Sequence, residues 1–116
     1  MTQAINAALS ALGAFGKKLS VTANNIANVD TDGFKKSRAI LQDADPYGVT
    51  VSISKVETSG GVVPSEDGTA QMKESSNVDL GEEIINLKLT ERAFEANVKS
   101  IKAEKEMTGK LLDILG

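Results

Sequence analysis

The sequence predicts a mainly α-helical fold. Long helices at the two ends are expected to pair as an elongated coiled-coil domain, with a small β hairpin or sheet in the middle. Each end carries an apolar stripe whose members recur at alternating steps of four and three residues, which is the spacing of a coiled-coil seam. Alternating apolar and polar residues near position 50 indicate a strand between them. Two such seams indicate that the two ends of the chain pair with each other or with neighbouring copies. They point to a role in assembly rather than in catalysis.

The first stripe predicts a helix over roughly residues 3–28. Its members are Ile5, Leu9, Leu12, Gly16, Leu19, Ala23 and Ile26. A flank of small residues follows the same helix: Ala4, Ala7, Ala8, Ala11 and Ala14. Gly13 and Gly16 each cost a helix ~1 kcal/mol relative to alanine. We therefore expect them to admit the close approach of another backbone, a weakened or kinked helix being the alternative.

An asparagine-rich turn is predicted to end this helix. Asn24, Asn25 and Asn28 each carry hydrogen-bond donors and an acceptor. We expect them to fix the helix end by side-chain-to-backbone hydrogen bonds, within the subunit or across a contact; ordinary capping in solvent is the alternative. Gly33 suits the positive-φ position of a turn, and Phe34 directly after it is expected to fold back onto apolar surface.

The middle of the chain has the pattern of short strands. Val49, Val51 and Ile53 alternate with polar residues, which predicts a half-buried strand. The glycines at 60 and 61 are a turn signal, and the valines at 62 and 63 are expected to begin a return strand. This is enough for a hairpin or small sheet and too little for an independent β domain.

The second helix is predicted from about residue 79 to residue 115. Asp79, with Glu82 three residues later, resembles a capping box. Its stripe consists of Leu80, Ile84, Leu87, Glu91, Phe94, Val98, Ile101, Lys105, Thr108, Leu112 and Leu115. Two of these members, Glu91 and Lys105, are polar. Either they set register and partner choice, or the seam drifts because 3.6 residues per turn does not match a strict heptad.

The composition excludes several kinds of chemistry. The chain has no Cys and no His, which removes thiol nucleophiles, imidazole bases, disulfides and nearly all zinc or haem sites. Asp43, Asp45, Glu66 and Asp67 match no calcium-loop spacing and are expected to form a solvated acidic surface. We therefore expect no enzyme activity, no catalytic residue, no cofactor, no metal and no small-molecule substrate.

Charge and hydropathy limit the partners further. The net charge is −3, and the strongest basic cluster, formed by Lys35, Lys36 and Arg38, lacks interleaved aromatic residues beyond Phe34. No nucleic-acid partner is therefore expected. No run approaches the ~20 apolar residues of a membrane span. Positive charges follow the first apolar stretch instead of preceding it, so no cleavable signal peptide is expected.

Two segments resemble the terminal motifs of bacterial flagellar rod and hook proteins. The first, residues 10–39, centres on Ala-Asn-Asn-Ile-Ala-Asn at 23–28, followed by Thr-x-Gly-Phe-Lys at 31–35. The second, residues 76–115, opens with Ser-Asn-Val-Asp-Leu at 76–80 and carries Glu-Arg-Ala-Phe-Glu-Ala-Asn at 91–97. It ends in Leu-Leu-Asp-Ile-Leu at 111–115, and the two segments make up about 70 of the 116 residues.

The resemblance implies a structural subunit of the flagellar basal-body rod. In this family the terminal helices polymerise into a hollow, torque-transmitting tube that spans the periplasm. The implied partners are other copies of the chain, other rod proteins and, during secretion, the flagellar export apparatus. The short middle is most similar to the proximal-rod branch, the FlgC type, although Asp30, Glu91 and Phe94 depart from the residues usual in the family. A non-polymerising helical adaptor or export-associated protein of the flagellar system is the alternative.

The predicted organisation has three parts. Residues 1–34 hold the N-terminal axial helix and the asparagine-rich motif, residues 35–76 the β-containing middle, and residues 77–116 the C-terminal axial helix, with the two helices forming one domain. Arg92 has a planar guanidinium that suits carboxylates on a neighbour, the alternative being a solvated pair with Glu95. The predicted assembly surface comprises Ile5, Leu9, Leu12, Leu19, Asn24, Asn25, Ile26, Asn28, Gly33, Phe34, Asn77, Leu80, Ile84, Leu87, Arg92, Phe94, Asn97, Val98, Ile101, Leu112 and Leu115.

Overall fold

The structure is a computed structural model that describes residues 2–116. The elements in chain order are α1 (Thr2–Ala27), β1 (Ser37–Asp43), β2 (Val49–Lys55), β3 (Val62–Pro64), β4 (Met72–Glu74) and α2 (Leu80–Leu115). The molecule measures 79 × 24 × 15 Å. The predicted mainly helical, elongated fold with a small β region is confirmed, and both helix boundaries fall within about two residues of the prediction.

The two helices pack side by side and run in opposite directions. The end of α1 and the start of α2 lie together, since Asn25 and Glu83 line one cavity, and the narrow cross-section keeps both helices along the long axis. At 1.5 Å per residue α1 is about 39 Å long and α2 about 54 Å. The last turns of α2 therefore extend past the start of α1, and residues 109–116 are all exposed. Neither helix combines the length and apolar character that crossing a bilayer requires.

The first hairpin lies along α1. β1 and β2 pair antiparallel, from Ser37 opposite Lys55 to Asp43 opposite Val49, and both strands contact α1. At the hairpin tip, the Val49 amide donates to the hydroxyl of Ser10 on α1 across 2.9 Å. The alternation predicted for β2 is only partly present, because Val49 and Val51 are half-buried whereas Ile53 is 54% exposed.

The partner predicted for β2 was wrong. The valines at 62 and 63 do not return to β2. They belong to β3, which pairs with β4 from Val62 opposite Glu74 to Pro64 opposite Met72. β2 pairs with β1 instead. The sequence pattern did not predict β1 as a strand, because basic and polar residues surround its short apolar core at 39–41. Within residues 2–116, β3 and β4 contact no other helix or strand, so the second hairpin projects from the helix pair.

The side chains buried between α1 and its neighbours are small or polar. Ala11 and Ala14 from the alanine flank are the buried hydrophobic residues of the described chain, at 7% and 4% exposure. Thr22 of α1 and Thr90 of α2 are buried with them. Small residues let helix backbones approach closely, but they remove little apolar surface from water. The core of a single chain is therefore thin.

The predicted seam of α2 was half wrong. Leu87, Phe94 and Ile101 are partly buried, as a seam requires. Between them, however, the buried or half-buried positions are Glu83, Thr90, Asn97 and Glu104, whereas Ile84, Glu91, Val98 and Lys105 are exposed. At every second position of the stripe, the residue that faces α1 is therefore the one immediately before the predicted residue. The buried positions keep the same four-and-three spacing, so the offset is constant along α2, and polar residues at 83, 90, 97 and 104 occupy the buried face while one edge of the apolar stripe stays uncovered.

Candidate functional site

Asn25 links the end of α1 to the start of the first hairpin. Its carboxamide donates to the Ser37 carbonyl across 2.8 Å and accepts from the Ser37 amide at 3.0 Å. The side chain therefore pairs with the backbone as a neighbouring strand would. Asn25 is only 1% exposed, and a buried backbone group without a partner is costly. The carboxamide thus fixes the hairpin against the helix.

The rest of the asparagine cluster shapes the turn after α1. Asn28 donates from its side chain to the Asn24 carbonyl at 2.9 Å and accepts from the Thr31 hydroxyl at 3.0 Å. Gly33 has a φ of +69°, as predicted for this turn. The predicted side-chain-to-backbone hydrogen bonds are present for Asn25 and Asn28, whereas the Asn24 side chain is exposed.

Asn77 joins three segments at the start of α2. Its side-chain oxygen accepts from the Lys36 amide at 2.7 Å, and its nitrogen donates to the carbonyls of Val56 at 2.8 Å and Thr58 at 3.0 Å. Its own amide donates to the Phe34 carbonyl. One carboxamide therefore holds the exit of the α1 turn and the exit of β2 at the point where α2 begins.

Glu74 is a second link in this junction. Its carboxylate accepts from the Lys35 ammonium and, at 2.8 Å, from the Gly60 amide. These contacts hold the pKa of Glu74 below its ordinary value, the Lys35 hydrogen bond being the larger cause. Gly60 has no room for a side chain, because a Cβ there would lie 1.9 Å from the Ser75 carbonyl oxygen.

Half of the predicted capping box is present in the first turn of α2, since Asp79 caps the helix but the Glu82 side chain does not bond back to the Asp79 amide. The Asp79 carboxylate accepts from the Glu82 amide at 3.3 Å, which satisfies one of the free donors of the helix end. Glu82 itself lies 3.8 Å from the Lys36 ammonium. On the projecting hairpin, Lys73 pairs with Asp32 at 2.9 Å, and the pKa of Lys73 is raised by that hydrogen bond. Two members of the basic cluster, Lys35 and Lys36, are therefore paired with carboxylates of the same chain.

The predicted assembly residues divide by exposure. The exposed members are Leu9, Asn24, Gly33, Leu80, Ile84, Arg92, Val98, Leu112 and Leu115. The half-buried members are Ile5, Leu12, Leu19, Ile26, Asn28, Phe34, Asn77, Leu87, Phe94, Asn97 and Ile101, and Asn25 is buried. The half-buried members and Asn25 contribute to contacts inside one chain. The role of the whole set in assembly stays a prediction.

The free end of α2 is strongly apolar. Leu112 is 65% exposed and Leu115 83% exposed, with Leu111 and Ile114 exposed beside them. By helical spacing, positions 111, 112 and 115 continue the face that meets α1 further up the helix. A second exposed stripe runs through Ile85 and Leu89 on the other side of α2. Monomeric soluble proteins rarely expose contiguous apolar surface of this kind.

An open apolar groove of about 600 Å³ lies between α1 and the first hairpin. Its lining includes Gly13, Gly16 and Asn24 of α1 and Ile53 of β2. A Cβ built on either glycine would meet no atom within 4 Å. The close backbone approach expected at these glycines is therefore not made within the described chain.

A second cavity, of about 260 Å³, is polar and lies where α1, β1 and the first turns of α2 meet. Thr22 and Glu83 face it at 4% and 5% exposure. Their oxygens remain open to the cavity, because among residues 2–116 no fully buried side-chain nitrogen or oxygen lacks a hydrogen-bond partner. Lys18 and Arg38 also line the cavity. Sequence reasoning missed all four, since Glu83 in a first helical turn has the pattern of an ordinary dipole-compensating acid.

A paired-helix structural protein with uncovered apolar faces is the class that this architecture defines. Comparison with protein families agrees: residues 5–35 match the family described as flagella basal body rod protein, and residues 69–114 match the C-terminal region of flagellar basal body rod FlgEFG proteins. The two matches together cover about two thirds of the chain, so the chain belongs to the flagellar basal-body rod family and is a structural component of the basal body. A search of the curated proteins gave no match.

The two matched regions contain Asn25 and Asn77, the asparagines that link the end of α1, the first hairpin and the start of α2. The first covers α1 and its turn, and the second covers β4, the Asn77 segment and most of α2. The first hairpin lies in neither. Neither description names the FlgC type, so the proximal-rod subtype stays a prediction.

Proposed function

We propose that the chain is a polymerising subunit of the basal-body rod, and that its terminal helices build a hollow axial tube that transmits torque. The observation that carries this proposal is the inverted distribution of apolar side chains. Among residues 2–116 the buried hydrophobic residues are two alanines, while Leu80, Ile85, Leu89 and Leu115 are among many large apolar residues left exposed. Such a chain gains most of its hydrophobic stabilisation only when neighbours cover these faces.

The amount of exposed surface supports the same proposal. A folded monomer of 12.2 kDa is expected to expose about 6,100 Å². This chain exposes 7890 Å², an excess of about 1,800 Å² over that expectation. A stable protein–protein interface buries about 800 Å² on each partner. The excess follows from the elongated shape of the chain, 79 × 24 × 15 Å, and leaves ample surface for contacts with neighbouring copies.

The proposed position is the rod where it spans the periplasm, with other rod proteins as neighbours. Secretion through the flagellar export apparatus is part of the same proposal and rests on the family membership. The short middle favours the proximal, FlgC-type branch. The uncovered end of α2 would serve an adaptor as well as a rod subunit, so the family matches are the reason that we favour a rod subunit.

Leu112→Asp tests the proposal. Leu112 is 65% exposed and lies in the overhanging part of α2, so the substitution should leave the helicity and stability of the monomer unchanged. Polymerisation of concentrated protein, followed by sedimentation, should be lost, and cells carrying the variant should fail to build rods. Lys110→Asp, at an exposed polar position two residues away, is the matched control. The proposal fails if wild-type protein stays strictly monomeric and cells lacking it still build rods.

A further inference from the structure

The apolar groove between α1 and the first hairpin is open and unfilled. Gly13 and Gly16 line it, and a Cβ built on either glycine would meet no atom within 4 Å. On the hairpin side, Ile53 lines it and is 54% exposed. A glycine has no side chain to hold a neighbouring backbone away. The groove is therefore shaped for a helix that presents an apolar face.

The groove also carries a positive charge and hydrogen-bond donors. Lys17 and Asn24 are exposed in its lining, and neither Asp nor Glu lies among the lining residues. Among residues 2–116, the Lys17 ammonium forms no ion pair, and the Asn24 side-chain nitrogen donates no hydrogen bond. The two residues are seven apart, which places them on one face of α1 two turns from each other. A complementary occupant therefore offers acceptors and negative charge.

The last two turns of α2, residues 109–115, have these properties and are called the α2 tail. Leu115 at 83%, Ile114 at 79% and Leu112 at 65% are the three most exposed large hydrophobic residues of the described chain. The last turn of α2 holds no basic residue, so nothing there offsets the negative end of the helix dipole. The backbone carbonyls at 113–115 receive no hydrogen bond from residues 2–116.

We infer that the groove binds the α2 tail of a second copy of this chain, an inference that rests on the proposed polymerisation. The apolar face of the tail packs against the two glycines and Ile53. The Lys17 ammonium and the Asn24 carboxamide donate to the last carbonyls of the tail, as lysine side chains commonly do at helix C-termini. One contact then covers the apolar tail and offsets the negative end of its dipole.

The carbonyls distinguish the α2 tail from other candidate segments. The second exposed stripe, at Ile85 and Leu89, lies inside α2, where the carbonyls are used by the helix's own hydrogen bonds. The C-terminal end of α1 is closed by its own turn, because the Asn28 amide donates to the carbonyls of Asn24 and Asn25. Among residues 2–116, the α2 tail is therefore the segment that combines an apolar face with an open helix end.

The α2 tail cannot reach the groove of its own chain. The tail extends past the start of α1, whereas Gly13 lies eleven residues beyond Thr2 in the opposite direction, or about 16 Å along the helix axis. The occupant therefore belongs to another copy. A contact between two different surfaces of identical subunits is head-to-tail, and such contacts propagate into rings or helical filaments.

Cross-linking between single-cysteine variants tests the inference. The chain has no Cys, so each variant carries one thiol and any product joins two chains. Full-length Ser20→Cys, in the groove, is mixed with Leu115→Cys, assembled and treated with a short bis-maleimide. We expect the mixed dimer as the main product. Lys99→Cys, exposed on α2 outside the tail, replaces Leu115→Cys in the control and should link to Ser20→Cys no more than in unassembled protein.

Lys17→Glu provides the functional measurement. Its ammonium is exposed and forms no ion pair within residues 2–116, so the thermal midpoint of the monomer should not change. The concentration needed for assembly should rise about tenfold, because an acid would face the negative end of the tail. Lys17→Met removes the charge alone and should raise it about two- to fivefold. Lys102→Glu, exposed on α2, is the control and should change it less than about twofold.

Two results would overturn the inference: a yield of mixed dimer no greater than in the Lys99→Cys control, or assembly of Lys17→Glu at the wild-type concentration. In either case wild-type assembly and the Leu112→Asp effect would still support the proposed function. A third outcome is a purified wild-type chain that stays monomeric while cells lacking it fail to build rods. The α2 tail would then bind a different rod protein, which overturns the inference and leaves the rod role standing.

Discussion

Two asparagines, Asn25 and Asn77, act as substitute strand partners. Each satisfies both a backbone donor and a backbone acceptor at a point where chain segments meet without a regular ladder. A carboxamide is the one neutral side-chain type that offers both groups side by side. Aspartate would lack the donor and leucine both groups, which explains why the two helix-flanking motifs need asparagine at these positions.

Asn25→Ala should lower the free energy of unfolding of the chain by about 2 kcal/mol. The substitution removes two hydrogen bonds and leaves the amide and carbonyl of Ser37 without their buried partner. Urea unfolding followed by circular dichroism measures the loss. Asn24→Ala, at the exposed neighbouring position, is the control and should change the stability by less than about 0.5 kcal/mol. Equal effects of the two substitutions would contradict the assigned role.

Gly60→Ala should destabilise the junction by about 1–3 kcal/mol. The new methyl group would overlap the Ser75 carbonyl oxygen, which is backbone and cannot rotate away. Hydrogen exchange of the Gly60 and Ser75 amides should accelerate in the variant. Gly109→Ala is the matched control, because its Cβ meets no atom, and should stabilise α2 by up to about 1 kcal/mol. Unchanged exchange in Gly60→Ala would show that the loop relaxes freely.

The ion pair of Glu74 with Lys35 should make the junction sensitive to acid. The folded pKa of Glu74 lies below its ordinary value, so its contribution is present above that ordinary value, about pH 4.3. It is lost as the pH falls through the depressed folded value. Chemical shifts of the Gly60 amide across this range report the titration. Glu74→Gln should abolish the acid-dependent shift, and a shift that persists in the variant would assign the titration to another group.

At the scale of elements, the two helices were predicted well and the strands less so. Helix ends follow from local chemistry, such as the Asp79 cap and the positive φ of Gly33. Strand pairing depends on distant segments. β1 shows only a short apolar core, and its pairing with β2 is stabilised by α1 through Asn25 and Ser10, contacts that no local pattern reveals.

Gly16→Ala should separate monomer stability from assembly. The position lies in the open groove of α1 with nothing within 4 Å of a new Cβ, so the monomer should gain up to about 1 kcal/mol of helix stability. If a neighbouring backbone occupies the groove in the polymer, the same methyl group should raise the concentration needed for assembly, as measured by sedimentation. Gly109→Ala should stabilise without this effect. Normal assembly of Gly16→Ala would exclude close packing at this glycine.

At the scale of the whole molecule, stability should depend on protein concentration. The thin core stabilises one chain weakly, and binding of copies to the folded state adds stability by mass action. Over a hundredfold increase in concentration, the thermal midpoint of the wild type should rise by about 4 °C or more. Leu112→Asp should show a flat dependence in the same scanning calorimetry experiment. A flat wild-type curve would mean that the exposed apolar faces find no partner.

The helical content, the elongated shape and the family came from the sequence alone. Their signals are periodicity, capping residues and two contiguous motifs, and all of these act over a few neighbouring residues. The tertiary structure alone decided which edge of each stripe meets the partner helix and which strand pairs with β2. It also revealed that Thr22 and Glu83 face one cavity. These features depend on groups far apart in the chain, and two neighbouring helical faces share positions 87, 94 and 101, so the spacing allows more than one rotation until packing selects one.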